Sequence, residues 1–304
     1  MRQIILIFLV FIFFIENFSP LYSADLFPPW LGEVMKVNEK RQKLLLRKSG
    51  KILPLPGPIE VILSFHTLKK SKAITITRYD YIELWVQEID LTKWGYIKSI
   101  LTLGWYDELN GEPLFQRKKF SEVKSWLDDN PVSIINGQFF DPKRSITPLS
   151  FGVKVDWVVR TAGADNRNES KNLLILEKNI AKIVPYSWEN LRDAPWYFAL
   201  VNLTLEKSHY PNEMIGRTYI CLKNPDINNQ SSQLLIFTAT AITESLIESE
   251  MIRWGCTKPT SAKLDSSWST RLWIGEDFIF WKSHKGYPDY RSIPHSIAIY
   301  DGQI

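Results

Sequence analysis

The chain is poor in the residues that mark several common protein classes. Only two of its 304 residues are cysteine, which excludes a miniprotein stapled by several disulfides. Its 14 glycines and 17 prolines are too few for a collagen-like or low-complexity chain. Its four histidines are scattered and lack the paired spacing of a zinc site. We therefore look for function in a folded domain and expect no metal and no cofactor.

Charge of one sign is also scarce. The 37 basic and 33 acidic side chains leave a formal net charge of +4, so small and dispersed an excess that we expect no nucleic-acid partner. Hydrophobic residues make up 45% of the chain, enough to bury a core, and we expect most of the 12 tryptophans to lie in it. The length allows one large domain, or one domain with a small appendage.

A long hydrophobic run occurs only at the N-terminus, where Arg2 precedes twelve apolar residues, Ile4–Ile15. Small residues follow at Ser23 and Ala24, which is the layout of a cleaved signal peptide over residues 1–24. Twelve residues are short of the roughly 20 that a transmembrane helix needs, so an uncleaved anchor is the less favoured alternative. We expect a secreted or periplasmic protein with no stable membrane span after cleavage.

Export bears on the two cysteines, Cys221 and Cys256. An oxidising compartment permits a disulfide between them, whereas two buried thiols are the alternative. The distance between the two residues decides the matter, and the sequence does not supply it.

The remaining chain is typical of an α+β fold. Residues 25–72 form an N-terminal extension with a Pro-rich linker, and residues 73–304 form the main domain, in which short segments alternate apolar and polar side chains as strands do. Apolar residues have helical spacing over 119–129 and again over 243–254, where Thr243 is a candidate N-cap. Strands outnumber helices without alternating with them, so we predict a mixed, strand-rich sheet core with a few packed helices.

Common catalytic signatures, such as G-x-S-x-G, H-E-x-x-H and the phosphate-binding loop, are missing, but polar groups follow three strand-like runs. The first run ends in Asn136-Gly137, the second begins at Gly216-Arg217, and the third delivers Asp265 into a hydroxyl-rich loop. Glycine permits close approach of a ligand, and arginine offers a fork suited to phosphate. A plain hairpin turn, a surface charge and an ordinary strand-end turn are the respective alternatives.

These segments, in this order, resemble the phosphodiester glycosidase family. The family's N-G-G-F-F turn is similar to Asn136–Phe140, its R-T-A-x-G strand to Arg217–Cys221, and its L-D-G-G-G-S loop to Leu264–Ser269. A family helix is similar to Thr243–Cys256, and an R-x-V-P-N segment is similar to Arg291–His295. The resemblance extends from about Ala73 to Tyr300.

The resemblance implies an exported hydrolase that cleaves a glycosyl phosphodiester, with a glycan or sugar phosphate as substrate. Asp265 is then the catalytic carboxylate, with Asp141 as a second candidate. Arg217, helped by Lys263 or Arg271, holds the leaving phosphate. The remaining substrate-binding candidates are Asn136, Thr218, Ser266, Trp268, Ser269 and His295.

The chain departs from the family pattern where glycines follow the aspartate, since these positions are Ser266, Ser267 and Trp268. Trp268 either forms a wall on which a sugar stacks or blocks the pocket. A catalytically inactive glycan- or polyanion-binding envelope protein of the same fold is therefore the alternative, and an envelope assembly factor is a third.

Overall fold

The computed structural model describes residues 65–80, 82–102, 104–106, 112–127, 130–164, 170–194, 198–205, 210–280 and 291–302. They all belong to one compact unit, Ile62–Ile304. The predicted signal peptide and residues 25–64 lie outside the described residues, so both stay predictions.

Strands dominate the described residues, and the predicted α+β class with a sheet core is confirmed. The strands are β1 Phe65–Lys70, β2 Ile74–Tyr79, β3 Leu84–Asp90, β4 Gly95–Leu101, β5 Gly104–Tyr106, β6 Pro113–Gln116, β7 Ser133–Asn136, β8 Ile146–Thr147, β9 Val153–Val155, β10 Val158–Thr161, β11 Lys171–Glu177, β12 Ile180–Pro185, β13 Phe198–Leu203, β14 Ile215–Leu222, β15 Gln230–Ser231, β16 Gln233–Ile242, β17 Ser261–Lys263, β18 Arg271–Ile274, β19 Asp277–Phe280 and β20 His295–Asp301. The helices are α1 Phe120–Ser125, α2 Trp188–Asp193 and α3 Glu244–Arg253.

The strands form three antiparallel sheets. The largest has twelve strands in the order β1-β2-β3-β16-β14-β17-β13-β11-β12-β15, with β9 and β10 joined to it through β13. The second has five strands in the order β19-β18-β7-β20-β4, and the third pairs β5, β6 and β8. The chain passes from the first sheet to the second between β17 and β18, and Asp265 lies in that crossing.

The main core contains side chains from both larger sheets. Ile220 and Ile236 from the twelve-stranded sheet belong to the same buried cluster as Ile135 and Ile297 from the five-stranded sheet. A second cluster, which includes Leu173 and Leu191, packs on the outer face of the large sheet. Because successive strand residues point to opposite faces, a strand covered by both clusters needs the continuous apolar run seen in β11.

Several predicted elements differ in extent. The helix predicted over 119–129 is only Phe120–Ser125, and the main sheet already includes Phe65–Lys70, which the sequence assigned to the linker. The second predicted helix is Glu244–Arg253, with Ile247 and Met251 buried as expected. Thr243 has the extended backbone of an N-cap, but its side chain makes no capping hydrogen bond.

The expectation that tryptophan builds the core is wrong for the side chains that the structure describes. Trp85 is buried, but Trp94, Trp126, Trp157 and Trp188 are exposed. Isoleucine, leucine, valine and phenylalanine fill the core instead.

The two cysteines form a disulfide. Cys221 on β14 and Cys256 just after α3 have their Cα atoms 5.9 Å apart, within the range that a disulfide spans. The bond ties the end of α3 to the central part of the large sheet.

Candidate active site

Asn136, the last residue of β7, joins the two larger sheets. Its side chain is buried, and its Nδ2 donates to the backbone oxygen of Asp265 at 2.6 Å. Its Oδ1 accepts from Thr218 Oγ1 at 2.7 Å and from the backbone N–H of Arg271 at 3.1 Å. One amide therefore holds strand β14, the start of β18 and the loop between the sheets in a fixed arrangement.

The backbone around Asp265 is held from both sides. The N–H of Leu264 donates to the oxygen of Thr218, and the N–H of Asp265 donates to the oxygen of Gly137, both at 3.0 Å. The N–H of Ser266 donates to Asp265 Oδ1 at 2.8 Å. These bonds fix the direction of the carboxyl group before any ligand arrives.

Burial raises the pKa of Asp265 from 3.8 to about 6. The nearby Ser269 hydroxyl, the charge of Arg291, the N–H of Ser266 and the charge of Arg271 act in the opposite direction and lower this pKa. The residue as a whole is half-buried. A carboxyl with this pKa exchanges protons near neutral pH, which suits acid or base chemistry.

Two buried hydroxyls lie in the loop that follows Asp265. Ser269 Oγ interacts with the Asp265 carboxyl, whereas Thr270 Oγ1 makes no hydrogen bond within the part of the chain that the structure describes. A buried hydroxyl without a partner is costly, and an oxygen-rich ligand satisfies it.

The loop keeps a glycine-like backbone without glycine. Ser267 has φ +61°, in the left-handed region that favours glycine, whereas Ser266 is extended with φ −133°. A Cβ on Gly216 would lie 2.8 Å from both Ser267 O and Thr270 Oγ1. Gly216 therefore makes room for this loop, and not for a ligand as its position in the sequence suggested.

His295 holds the backbone of the turn that follows Asn136. Its ring is buried, Nδ1 accepts from the backbone N–H of Gln138 at 3.0 Å, and Nε2 lies 2.8 Å from Ser99 Oγ. This pattern requires the neutral tautomer with its proton on Nε2. Burial lowers the pKa of His295 to about 3, so the ring is neutral at physiological pH. A Cβ on Gly137 would lie 2.4 Å from Nδ1, which explains the glycine there.

Arg217 lies apart from this group. Adjacent residues of β14 point to opposite faces, and Thr218 faces Asn136. The Arg217 guanidinium is buried and donates to the backbone oxygens of Ile242, Tyr210 and Glu213. The structure therefore does not bring the predicted phosphate-binding arginine to Asp265.

The predicted helper Lys263 faces the same way as Arg217. It forms a buried ion pair with Glu244 at the start of α3, and Glu244 also accepts from Tyr219 Oη at 3.1 Å. Burial lowers the pKa of Lys263 and raises that of Tyr219. This network packs α3 on the sheet, away from the Asp265 carboxyl.

The Asp141 carboxylate interacts with residues of its own turn. Its Oδ1 accepts from the backbone N–H of Lys143 at 2.9 Å, and its Oδ2 is 3.6 Å from Arg144 Nε. None of the groups that shift the pKa of Asp265 belongs to this turn. Trp268 has its backbone in the short 3₁₀ turn Ser267–Ser269, and its side chain lies outside the described part of the structure.

Two arginines near the site, Arg117 and Arg291, are not among the residues predicted from the sequence. Arg291 acts on Asp265 more strongly than Arg271 does, although only its place in the segment Arg291–His295 had drawn notice. Arg117 carries no motif, and only the fold brings it beside the same segment. Neither arginine lies at the end of a strand-like run, which is the local pattern that marks Asn136, Arg217 and Asp265.

The comparisons with known proteins bear on the fold. The catalytic domain of zebrafish N-acetylglucosamine-1-phosphodiester alpha-N-acetylglucosaminidase, auto-inhibited by its pro-peptide, has a TM-score of 0.52 with this chain. The likeness is one of fold. The two sequences are 10% identical over 75% of this chain and 78% of the zebrafish chain. A hypothetical protein from Synechocystis has a TM-score of 0.50, with 8% identity over 79% of this chain and 64% of its own.

Neither a family model nor a curated protein matches the sequence. Among the described residues, no helix is long and apolar enough to cross a membrane, and no three His, Cys, Asp or Glu side chains cluster in a way that suits a metal ion. The fold relationship to the zebrafish catalytic domain is thus distant and rests on structure alone.

Proposed function

We propose that the protein is an exported hydrolase that cleaves a glycosyl phosphodiester, with Asp265 as the catalytic carboxyl. The observation that carries the proposal is the convergence of Asn136, Thr218 and Arg271 on the loop that holds Asp265. The distant fold likeness to a glycosidase that acts on a phosphodiester supports the reaction class.

The chemistry needs a base more than an acid. The bond from the sugar C1 to the phosphate oxygen breaks, and the phosphate monoester leaves with the electron pair. A phosphate leaves without protonation because its oxygen is weakly basic, so Asp265 as carboxylate takes a proton from the water that attacks C1. The pKa of about 6 leaves Asp265 ionised above that pH yet more basic than an ordinary aspartate.

The other groups have binding roles in this proposal. The hydroxyls of Ser269, beside the carboxyl, and of Thr270 donate to sugar or phosphate oxygens, and Arg271 and Arg291 stabilise negative charge beside the carboxyl. Asn136 and His295 hold the loops in place. Asp141 stays the second candidate for the catalytic carboxylate, and Trp268 stays a candidate for contact with the substrate.

Hydrolysis is tested on purified protein with methyl N-acetylglucosamine 1-phosphodiester and the matching glucose diester. We expect release of free sugar that falls at least about a hundredfold in Asp265→Asn, because the proton acceptor is lost. Asp226→Asn, which alters an exposed turn aspartate, is the matched control and retains full activity.

The profile of kcat/KM against pH is the more specific measurement. Because the active form is the carboxylate, the rate rises with pH through about 6 and then levels off. A rate that instead falls over this range, or turnover that survives in Asp265→Asn, refutes the role of Asp265.

A further inference from the structure

Two arginines lie against one aromatic ring next to the proposed active site. Arg117 Cζ is 5.3 Å and Arg291 Cζ is 5.1 Å from the centroid of the Phe140 ring. The two guanidinium groups are therefore within about 10 Å of each other. Phe140 itself is buried, so the ring is a fixed support.

Backbone pairing holds the two arginines in place. Lys118 and Ile293 form an antiparallel bridge, with N–H to oxygen distances of 3.0 and 2.9 Å. The bridge sets Arg117 beside Ser292, whose oxygen accepts from Arg117 Nε at 3.0 Å. Residues 117–118 and 291–293 thus form one unit although they are far apart in the sequence.

The Arg117 guanidinium is held in place by hydrogen bonds that do not use all of its N–H groups. Its Nη1 donates to the backbone oxygens of Pro142 at 2.9 Å and Arg144 at 3.2 Å. Within the residues that the structure describes, its Nη2 makes no hydrogen bond, so two of its five N–H groups remain for a ligand.

Each arginine of the pair has a carboxylate in its neighbourhood, Asp141 for Arg117 and Asp265 for Arg291, but among the described residues neither forms a close ion pair. The neighbouring carboxylate, Asp141, pairs with Arg144, and neither Arg117 nor Arg291 has a carboxylate within 4 Å among the described residues. Burial and then repulsion by Arg291 lower the pKa of Arg117, and the charge of Asp141 raises it by less. Two partly buried like charges are unfavourable unless an anion joins them.

Arg291 connects this pair to the catalytic carboxyl. It is the charge with the greatest effect on Asp265, and it is also the charge that repels Arg117. The positive charge therefore extends from Asp265 outward to Phe140.

We propose that Arg117 and Arg291 form a clamp for the phosphate group of the substrate, with Arg291 on the side of Asp265 and Arg117 farther out. The clamp takes the phosphate-binding role that the sequence assigned to Arg217. Its part in the reaction rests on the proposed function, whereas its binding of an anion does not. Forked N–H groups suit the oxygens of a phosphodiester, and a neutral glycoside gains nothing from them.

Isothermal titration calorimetry of the whole protein with dimethyl phosphate and with inorganic phosphate tests the clamp. We expect Arg117→Gln and Arg291→Gln each to weaken binding at least about tenfold, because each removes charge-assisted hydrogen bonds. Arg291→Lys gives an intermediate loss, since it keeps the charge without the fork. Arg78→Gln is the matched control, because Arg78 also lies over an aromatic ring, 5.5 Å from the Trp85 centroid, but pairs with Asp80.

The outcomes separate the clamp from the reaction. Wild-type protein that binds neither anion, or equal losses in Arg78→Gln and Arg291→Gln, overturns the clamp. Hydrolysis of the diester with an unchanged KM in both clamp variants also overturns it and leaves the proposed function standing. Anion binding that depends on the two arginines, without hydrolysis of the diester, supports the clamp and refutes the proposed function. Circular dichroism melts identify a variant that fails to fold, and Arg291→Lys then replaces it.

Discussion

At the residue scale, Asp265 and its neighbours show how burial sets chemistry. The sequence marks Asp265 because an apolar run leads straight into it, and burial raises its pKa. The Arg217 role was foreseen on equally good sequence grounds, yet the guanidinium faces the other side of β14. A motif names a residue type, whereas the strand register decides its direction, and register is not visible in a single sequence.

The raised pKa makes a prediction about stability. Since the native protein holds the Asp265 proton up to about pH 6 and the unfolded chain only to 3.8, stability from this group is present below 3.8 and is lost as pH rises through 6. Asp265→Asn therefore stabilises the protein by at most about 3 kcal/mol at about pH 8. Urea unfolding at about pH 8 and about pH 4 measures this, and a larger gain at the lower pH contradicts it.

A second prediction concerns the loop backbone. A residue with a side chain pays about 1–2 kcal/mol for the left-handed backbone conformation of Ser267, and glycine does not. The Ser267→Gly variant is therefore equally or more stable. Ser266→Gly is the control and loses about 1 kcal/mol, because Ser266 is extended and its hydroxyl donates to the oxygen of Leu264. Thermal melts that rank the two variants the other way round refute the strain at Ser267.

At the element scale, helices were predicted better in position than in length. The 119–129 pattern has helical spacing, but only Phe120–Ser125 is helical, since tertiary contacts decide where a short helix ends. The α3 segment was predicted almost to its bounds because a buried stripe, Ile247 and Met251, packs on the sheet. The twelve-stranded order was beyond prediction, because β14 pairs with β16 and β17 and not with its preceding neighbour β13.

The disulfide supports a prediction at this scale. The bond between Cys221 and Cys256 joins residues 35 apart, and the loss of a crosslink of that span costs about 3–4 kcal/mol. The double variant Cys221→Ala with Cys256→Ala should melt at the same temperature as reduced wild-type protein. Reductant should lower the melting temperature of the wild type and leave that of the double variant unchanged, and equal sensitivity of both proteins would count against the bond.

At the scale of the whole molecule, the class of fold was accessible from the sequence. The predicted substrate-binding residues that lie around the Asp265 loop are Asn136, Thr218, Ser266, Ser269 and Arg271, and their binding role stays a prediction. The sequence search missed Arg117 and Arg291, because no local pattern marks a contact between segments so far apart. Contacts between strands that are distant in the sequence form only on packing, so local sequence patterns do not predict them.

The Asn136 amide has a consequence for folding. Its partners lie 82 residues away at Thr218, 129 at Asp265 and 135 at Arg271, on strands and a loop that belong to different sheets. No fragment that ends before β18 contains the complete set. During synthesis on the ribosome, the arrangement around Asp265 therefore cannot assemble until β18 has emerged, and any activity that depends on it is withheld from shorter chains.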